Sequence, residues 1–182
     1  KMKDLPKGSE GDPDKLDKMD TPLLYNNCEL EAAAYMHLGV IEYKQNNFKE
    51  ALVNFNKALE KQCLKNHHKA YTYYNIGLTQ EKLASETKNP NLNQEALKNY
   101  QQAIMLLPSF YKPYIKIGEY YYKGRQSDPL FMLKKAENIL KDGLSKQPVN
   151  FYLLFTLGKV QYRLEKYDEA IKNFKLALDS TK

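Results

Sequence analysis

Tyr35-Met-His-Leu-Gly39 is the first of four stretches that share one pattern and decide the fold of this chain. The others are Tyr73-Tyr-Asn-Ile-Gly77, Tyr114-Ile-Lys-Ile-Gly118 and Leu154-Phe-Thr-Leu-Gly158. In each stretch a large apolar residue is followed three and four places later by an aliphatic residue and a glycine. Residues at this spacing share one face of a helix, and a glycine there lets a second backbone approach closely. Each stretch therefore predicts the first helix of a repeat.

A pattern of small, large and small residues follows each glycine. In the outer repeats it begins twelve residues after the glycine and reads Ala51, Phe55, Ala58 and Ala170, Phe174, Ala177. In the inner repeats it follows insertions of seven and six residues and reads Ala96, Tyr100, Ala103 and Ala136, Leu140, Gly143. This pattern predicts a second, antiparallel helix in every repeat. The insertions predict loops or helix extensions over 84–93 and 124–128 that project from the array.

The four units resemble the tetratricopeptide repeat family, whose unit of about 34 residues pairs two antiparallel helices. The resemblance covers residues 32–182 and implies an all-α fold, a right-handed α-solenoid of eight principal helices in antiparallel pairs. Its repeats are expected at about 32–69, 70–110, 111–150 and 151–182. The sequence departs from the family where Glu42, Gln80 and Gln161 replace a usual Tyr, and where Cys63 replaces a usual Pro.

Residues between the repeats predict where helices begin and end. Pro108 and Pro148 stop second helices, and Ser109 can cap the helix that follows the first of them. Asp128 and Pro129 form an N-cap and first-turn pair for another helix. The adjacent His67 and His68 are expected on an exposed turn.

Residues 1–31 read as a polar, flexible tail or linker, in which Thr21-Pro22-Leu-Leu-Tyr25 can start a short helix. They hold five Lys against eight Asp and Glu, whereas residues 32–182 hold 23 basic against 14 acidic residues. The tail is therefore acidic and the repeats are basic. The array ends without a polar capping helix, which predicts that the protein continues beyond Lys182 or that a partner covers its last surface.

Composition and motifs narrow the function. Hydrophobic residues make up 42% of the chain, and no apolar run is long enough to cross a bilayer. Cys28 and Cys63 lie 35 positions apart without metal-ligand neighbours, so we expect free thiols and an intracellular, cytoplasmic protein. The chain has three His residues and no phosphate-binding or nucleophile motif, and His37 has no predicted catalytic partner. We therefore expect no enzyme, no cofactor and no metal site.

The resemblance implies a binding groove on the concave face that the first helices make. Mapped onto this chain, the groove residues are Met36, His37, Val40, Tyr43, Lys44, Tyr71, Tyr74, Asn75, Leu78, Lys82, Lys112, Ile115, Lys116, Tyr122, Lys123, Tyr152, Phe155, Lys159, Tyr162 and Arg163. The set is aromatic and basic. It predicts either an extended acidic segment with apolar anchors as the ligand, or an inner face merely typical of the family.

A more specific hypothesis is the carboxylate clamp with which some family members grip the Glu-Glu-Val-Asp end of heat-shock chaperones. Asn75, Lys112 and Lys116 match or nearly match that clamp. Met36 and Val40 replace its first Lys and Asn, so the clamp is incomplete.

The sequence leaves several functional classes open. The leading class is a non-catalytic scaffold or adaptor that binds a partner protein in the groove. The alternative is a structural subunit fixed in a larger assembly through its outer face and ends. Nucleic-acid binding has the basic body in its favour but lacks a recognised motif.

Overall fold

The computed structural model describes residues 27–124 and 128–181, which form eight α-helices and no strand. The helices are α1 (Asn27–Lys44), α2 (Phe48–Glu60), α3 (Asn66–Thr87), α4 (Asn91–Leu106), α5 (Tyr111–Lys123), α6 (Pro129–Lys146), α7 (Phe151–Arg163) and α8 (Tyr167–Asp179). Consecutive helices pack as four pairs, which confirms the predicted all-α solenoid. The first pair already begins at Asn27, within the predicted tail. Residues 1–26, including the proposed short helix, lie outside the described residues.

Helix boundaries follow local chemistry. The Asp128 carboxylate accepts a hydrogen bond of 2.9 Å from the Phe131 N–H, with Pro129 in the first turn, as predicted. Asn150 caps α7 in the same way through the Leu153 N–H at 3.1 Å. The predicted Ser109 cap is wrong, because Phe110 precedes α5 in an extended conformation and no side chain caps that helix.

Each repeat glycine is a point of close contact between the two helices of its pair. We call the large residue of the second helix that lies over the glycine the crossing residue; these are Phe55, Tyr100, Leu140 and Phe174. A Cβ built on Gly77 would lie 2.5 Å from the Tyr100 ring, and one on Gly158 would lie 2.7 Å from the Phe174 ring. Gly39 and Gly118 are similarly tight. Only glycine fits at these positions without a shift of the crossing side chain.

In the second, third and fourth repeats, the aliphatic residue before the glycine packs at the junction with the preceding repeat. We call it the pre-glycine residue. Ile76 packs against Ala51 and Phe55 of the preceding pair, and Ile117 packs against Tyr100. In the last repeat Leu157 lies in one cluster with Leu140 of α6 and Leu153. A buried cluster therefore lies at each junction between neighbouring repeats.

The polar residues that replace a usual Tyr are hydrogen-bonded rather than loosely packed. Gln80 donates to Glu95 at 3.0 Å and accepts from Asn99 at 2.8 Å. Gln161 donates to Glu169 at 2.8 Å and accepts from Asn173 at 2.6 Å. Glu42 accepts from Asn47 at 2.7 Å. These amides and carboxylates therefore link the helices of one pair.

A buried carboxylate links the third and fourth repeats. Glu137 of α6 contacts Lys141 at 2.7 Å and Lys166, at the start of the fourth repeat's second helix, at 2.8 Å. Gln161 also donates to it at 3.4 Å. Burial would raise the pKa of Glu137, but the hydrogen bonds from Lys141, Lys166 and Gln161 together hold it below its ordinary 4.5.

The insertions fall where they were predicted, between the two helices of their repeats. The first lengthens α3 to Thr87, and residues 85–91 are exposed, although Ala84 is buried. In the second, Asp128 is exposed and residues 125–127 lie outside the described residues.

Two predictions about side chains are wrong. Cys28 and Cys63 form a disulfide, with Cα atoms 6.1 Å apart. The two cysteines are 35 positions apart and enclose one antiparallel helix pair, which returns the chain to the end where it began. Because disulfides persist mainly in oxidising compartments, the argument for a reducing, cytoplasmic setting is lost. His67 and His68 lie in the first turn of α3 rather than on an exposed turn, and His68 is half-buried.

The tight glycine contact predicts a large effect of adding a side chain. Gly77→Val should lower the free energy of unfolding by about 2–3 kcal/mol, because the new methyl groups must displace the Tyr100 ring. Thermal unfolding followed by circular dichroism should show a midpoint lower by roughly 5–10 °C. Gly124→Val is the matched control, since a Cβ there approaches only backbone oxygen at 3.4 Å. Equal losses in both variants would contradict this account of the fold.

The lowered pKa of Glu137 predicts a pH-dependent contribution to stability. It is fully present above pH 4.5 and is lost as the pH falls through the lower folded-state pKa. Glu137→Gln should therefore lower the free energy of unfolding by about 1–3 kcal/mol at pH 7. This loss is smaller than for a fully buried ion pair, because both lysines are partly exposed. Urea unfolding should show this difference shrink in acid, whereas Glu86→Gln, at an exposed position, should change little at any pH. A deficit of Glu137→Gln that is independent of pH would refute the assignment.

Candidate functional site

All twenty predicted groove residues lie on the first helices α1, α3, α5 and α7, and none of them is fully buried. Neighbouring first helices also contact one another. Lys116 of α5 pairs with Glu81 of α3, and Tyr152 of α7 stacks on Tyr111 of α5. The four helices thus offer one continuous surface, whose three parts differ in charge.

The N-terminal part is a shallow cavity between α1 and α3. The cavity measures about 210 Å³ and is lined by Val40, Tyr43, Lys44, Phe55, Asn75 and Leu78. Five of these were predicted groove residues, and Phe55 is the crossing residue beneath them. The lining is mainly apolar and carries one lysine.

In the middle part, the positive charges of two lysines are balanced by neighbouring glutamates. Lys116 Nζ lies 3.0 Å from Glu81, and Lys123 Nζ lies 3.5 Å from Glu119. All four side chains line a cavity of about 540 Å³ between α3 and α5. Lys116 therefore cannot act as an isolated cation towards a ligand, which further weakens the resemblance to a carboxylate clamp.

The C-terminal part is an array of cations over aromatic rings. Lys159 Nζ lies 5.4 Å from the centre of the Tyr122 ring, and Arg163 Cζ lies 5.1 Å from the same ring. Lys159 also lies 5.9 Å from the Phe155 ring. Arg163 is further oriented by donating a hydrogen bond of 3.4 Å to the Tyr122 carbonyl.

Aromatic residues on α7 project from this array. Tyr152, Phe155 and Tyr162 are exposed, although Tyr152 stacks on Tyr111 with ring centres 5.9 Å apart. Phe155 stacks in the same way on Phe151 at 5.9 Å. These rings are held in place by their neighbours and still present a face to solvent. They can bind an apolar group at a small cost in conformational entropy.

Tyr74, by contrast, belongs largely to the core. It contacts the rings of Phe110 at 5.1 Å and Tyr100 at 5.7 Å. Burial, with smaller effects of Glu81 and neighbouring tyrosines, raises the pKa of Tyr74 to about 12. Burial likewise raises the pKa of Tyr43, an effect that nearby Lys116 opposes. Both hydroxyls therefore stay protonated and uncharged at neutral pH.

The sequence reasoning missed four residues of this surface: Glu81, Tyr111, Glu119 and Phe151. Glu81 was detectable, because it occupies the repeat position at which Tyr43, Tyr122 and Tyr162 were selected. The other three repeats have Tyr at this position, and the negative charge of Glu81 neutralises the middle part of the surface. Tyr111 and Phe151 are the first residues of their helices. They contribute by stacking on Tyr152 and Phe155, a contact that repeat position alone does not reveal.

Neither metal binding nor membrane crossing has support in the described residues. In residues 27–124 and 128–181, no cluster of three or more His, Cys, Asp or Glu could hold a metal ion. No helix in those ranges combines the length and apolar character needed to cross a membrane.

Comparison with known proteins agrees with the fold. Residues 32–63 and 151–182 each match the tetratricopeptide repeat. The CTR9 homolog of Arabidopsis thaliana is 25% identical over 153 residues, which are 84% of this chain but 13% of that protein. The chain thus spans a small part of this relative.

Solved structures of similar shape have low sequence identity and bear on the fold alone. MamA has a TM-score of 0.61 and 23% identity, over 92% of this chain and 84% of its own. A thermophilic TPR protein of Thermus thermophilus has a TM-score of 0.59 and 24% identity, covering 81% and 73%. YrrB, a TPR protein with an unusual peptide-binding site, has a TM-score of 0.56 and 21% identity, covering 82% and 68%.

The first and last helix pairs match the repeat directly, and the two inner pairs repeat its glycine contact around their insertions. The chain therefore contains tetratricopeptide repeats at 32–63 and 151–182, as the outer members of an array of four helix pairs.

Proposed function

We propose that this chain is a non-catalytic scaffold that holds a partner segment along its first helices, with the main anchorage on α5 and α7. One observation carries the proposal, namely the cluster of Lys159 and Arg163 over the Tyr122 ring beside exposed aromatic residues. We call this cluster the cation–aromatic site. The tetratricopeptide repeats at the two ends of the array support a protein-interaction scaffold in general.

The site favours a ligand with both acidic and apolar groups. Contact with an aromatic ring stabilises a cation by about 0.5–1 kcal/mol at an exposed position but leaves its net charge intact. Lys159 and Arg163 can therefore still attract a carboxylate, and Arg163 can present its fork to both oxygens. Phe155 and Tyr162 supply apolar contact next to these charges.

The compensated middle part sharpens this expectation. Lys116 and Lys123 each have an acidic neighbour on the same surface, so an incoming carboxylate would compete with Glu81 or Glu119. The acidic part of a ligand should therefore settle on the cation–aromatic site, with Lys112 exposed at the start of α5 as a secondary contact. Apolar anchors can reach the cavity near Leu78 at the other end of the surface.

The alternative function is a structural subunit fixed in a larger assembly by its outer face and ends. The observation in its favour is that aliphatic side chains are exposed on the outermost helices α1 and α8. Such a subunit would use the groove weakly or not at all.

Charge reversal on the cation–aromatic site should abolish most binding of an acidic ligand. The probe is a fluorescein-labelled peptide rich in Asp with Phe anchors, measured by fluorescence anisotropy. Lys159→Glu with Arg163→Glu should weaken binding at least about tenfold, because attraction becomes repulsion and two ring contacts are lost. Affinity of the wild type should fall with salt without vanishing, since apolar contact is not screened.

The matched control reverses two exposed lysines on second helices, Lys49→Glu with Lys172→Glu, which changes net charge equally. We expect less than about a twofold loss there, because screening limits the effect of distant charges. Equal losses in both pairs would show that net charge alone drives binding. No loss in either pair would favour the fixed-subunit alternative.

A further inference from the structure

The two ends of the groove surface differ in chemistry, and the middle part between them holds paired charges. The N-terminal part is the cavity of about 210 Å³ between α1 and α3, whose walls include Val40 and Leu78. The cation–aromatic site lies between α5 and α7, where Lys159 and Arg163 contact the Tyr122 ring. A ligand that uses both ends must therefore carry two different groups at a set distance from each other.

The N-terminal cavity has room for one large apolar side chain. Beneath it lies the Phe55 ring, which is 1% exposed, and Val40 and Leu78 are half-buried beside it. A protein cavity of about 150 Å³ can hold benzene. The cavity of about 210 Å³ between α1 and α3 can therefore accommodate the ring of a phenylalanine.

The middle part favours an uncharged stretch of ligand. Lys116 and Lys123 each have a glutamate neighbour, at 3.0 Å and 3.5 Å. A ligand carboxylate there would gain a lysine but would also face the neighbouring glutamate, and a ligand cation would meet the reverse. Charged residues of a ligand therefore gain little from this part, whereas uncharged polar residues can cross it without repulsion.

Helix packing sets the distance between the two ends. The cavity lies between the first two of the four first helices, and the cation–aromatic site lies between the last two. Tyr43 at the cavity and Tyr122 at the cation–aromatic site occupy the same repeat position, so both sites lie at the same level along their helices. Packed helices lie roughly 8–10 Å apart, which separates the two sites by roughly 16–20 Å. An extended peptide covers this distance in about five to six residues.

We propose that the partner segment is bipartite, with one large apolar side chain in the N-terminal cavity and a pair of carboxylates on the cation–aromatic site about six residues away. An uncharged spacer crosses the middle part. This ligand class rests on the proposed function, to which it adds the order and spacing of the groups. A segment with carboxylates spread evenly along its length should bind more weakly, because some of them would face Glu81 and Glu119.

The spacing is tested with fluorescein-labelled peptides measured by fluorescence anisotropy on the wild-type chain. Each peptide carries one Phe and one Asp-Asp pair, separated by about two, six or twelve positions of Ser and Gly. Each is made in both chain directions, and the tighter of the two is compared. At a separation of two, the Phe cannot reach the cavity, so affinity should be about tenfold below that at six. At twelve it should be about threefold below, because effective concentration falls with the −3/2 power of linker length.

A cycle of paired changes tests whether the Phe occupies the cavity. Val40→Asn should weaken the peptide with six-position spacing by about tenfold, because it places an amide on an apolar wall. It should have no further effect on a peptide in which Ser replaces the Phe. Val53→Asn, at an exposed position of α2, is the matched control and should change the binding of neither peptide. Circular dichroism should report unchanged helix content in both variants.

The results distinguish the bipartite ligand from the proposed function itself. Equal affinity at all three spacings, with binding still lost in Lys159→Glu with Arg163→Glu, would overturn the bipartite ligand and leave the proposed function intact. Additive effects of Val40→Asn and of the Phe replacement would also overturn it, since the Phe would then bind elsewhere. Binding of the Asp-Asp pair that does not depend on Lys159 and Arg163 would overturn both.

Discussion

The approach of two helices over a glycine is the constraint on which the rest of this molecule depends. Where Gly77 lies against the Tyr100 ring, even one added carbon would stand 2.5 Å from that ring. The close contact fixes the distance between the two helices of a pair. It also turns the pre-glycine residue towards the preceding repeat. One glycine therefore determines both the spacing of the helices within a pair and the packing of that pair on its neighbour. The insertions are tolerated because they enter on the far side of this contact, where α3 extends into solvent to Thr87.

The same constraint prepares the binding surface. The crossing residues pack the second helices against one side of the first helices. The first helices therefore lie side by side, and residues of α5 and α7 meet where these two helices adjoin. Tyr122 thereby comes within reach of Lys159 and Arg163, although these residues belong to different repeats. The positive charge of the repeats is thus not spread evenly along the surface. Glu81 compensates it at Lys116, whereas the cations of the cation–aromatic site lie over uncharged rings.

Much of the fold was predictable because small and large residues recur in register, and burial enforces that register at every repeat. Side-chain pairing across repeats was less predictable, because it depends on how far one helix is rotated against another. The Lys116–Glu81 pair and the Tyr111–Tyr152 stack are of this kind. The Cys28–Cys63 disulfide was missed because two residues far apart in sequence meet when an antiparallel pair closes. The Gln161 network was missed because the repeat pattern marks this residue only as a departure from the family and does not reveal its hydrogen-bond partners.

We propose that a partner lies on the first helices of the third and fourth repeats, α5 and α7. The most direct measurement places a photo-crosslinking benzoylphenylalanine at Tyr162 of α7 in one protein and at Met105 of α4 in another, both at exposed positions. Each is irradiated with the same acidic peptide, and the crosslinked product is quantified by mass spectrometry. If the partner lies there, position 162 should crosslink efficiently, excess unlabelled peptide should suppress that product, and position 105 should give only background. Equal yields from the two positions, or a higher yield from position 105, would contradict it.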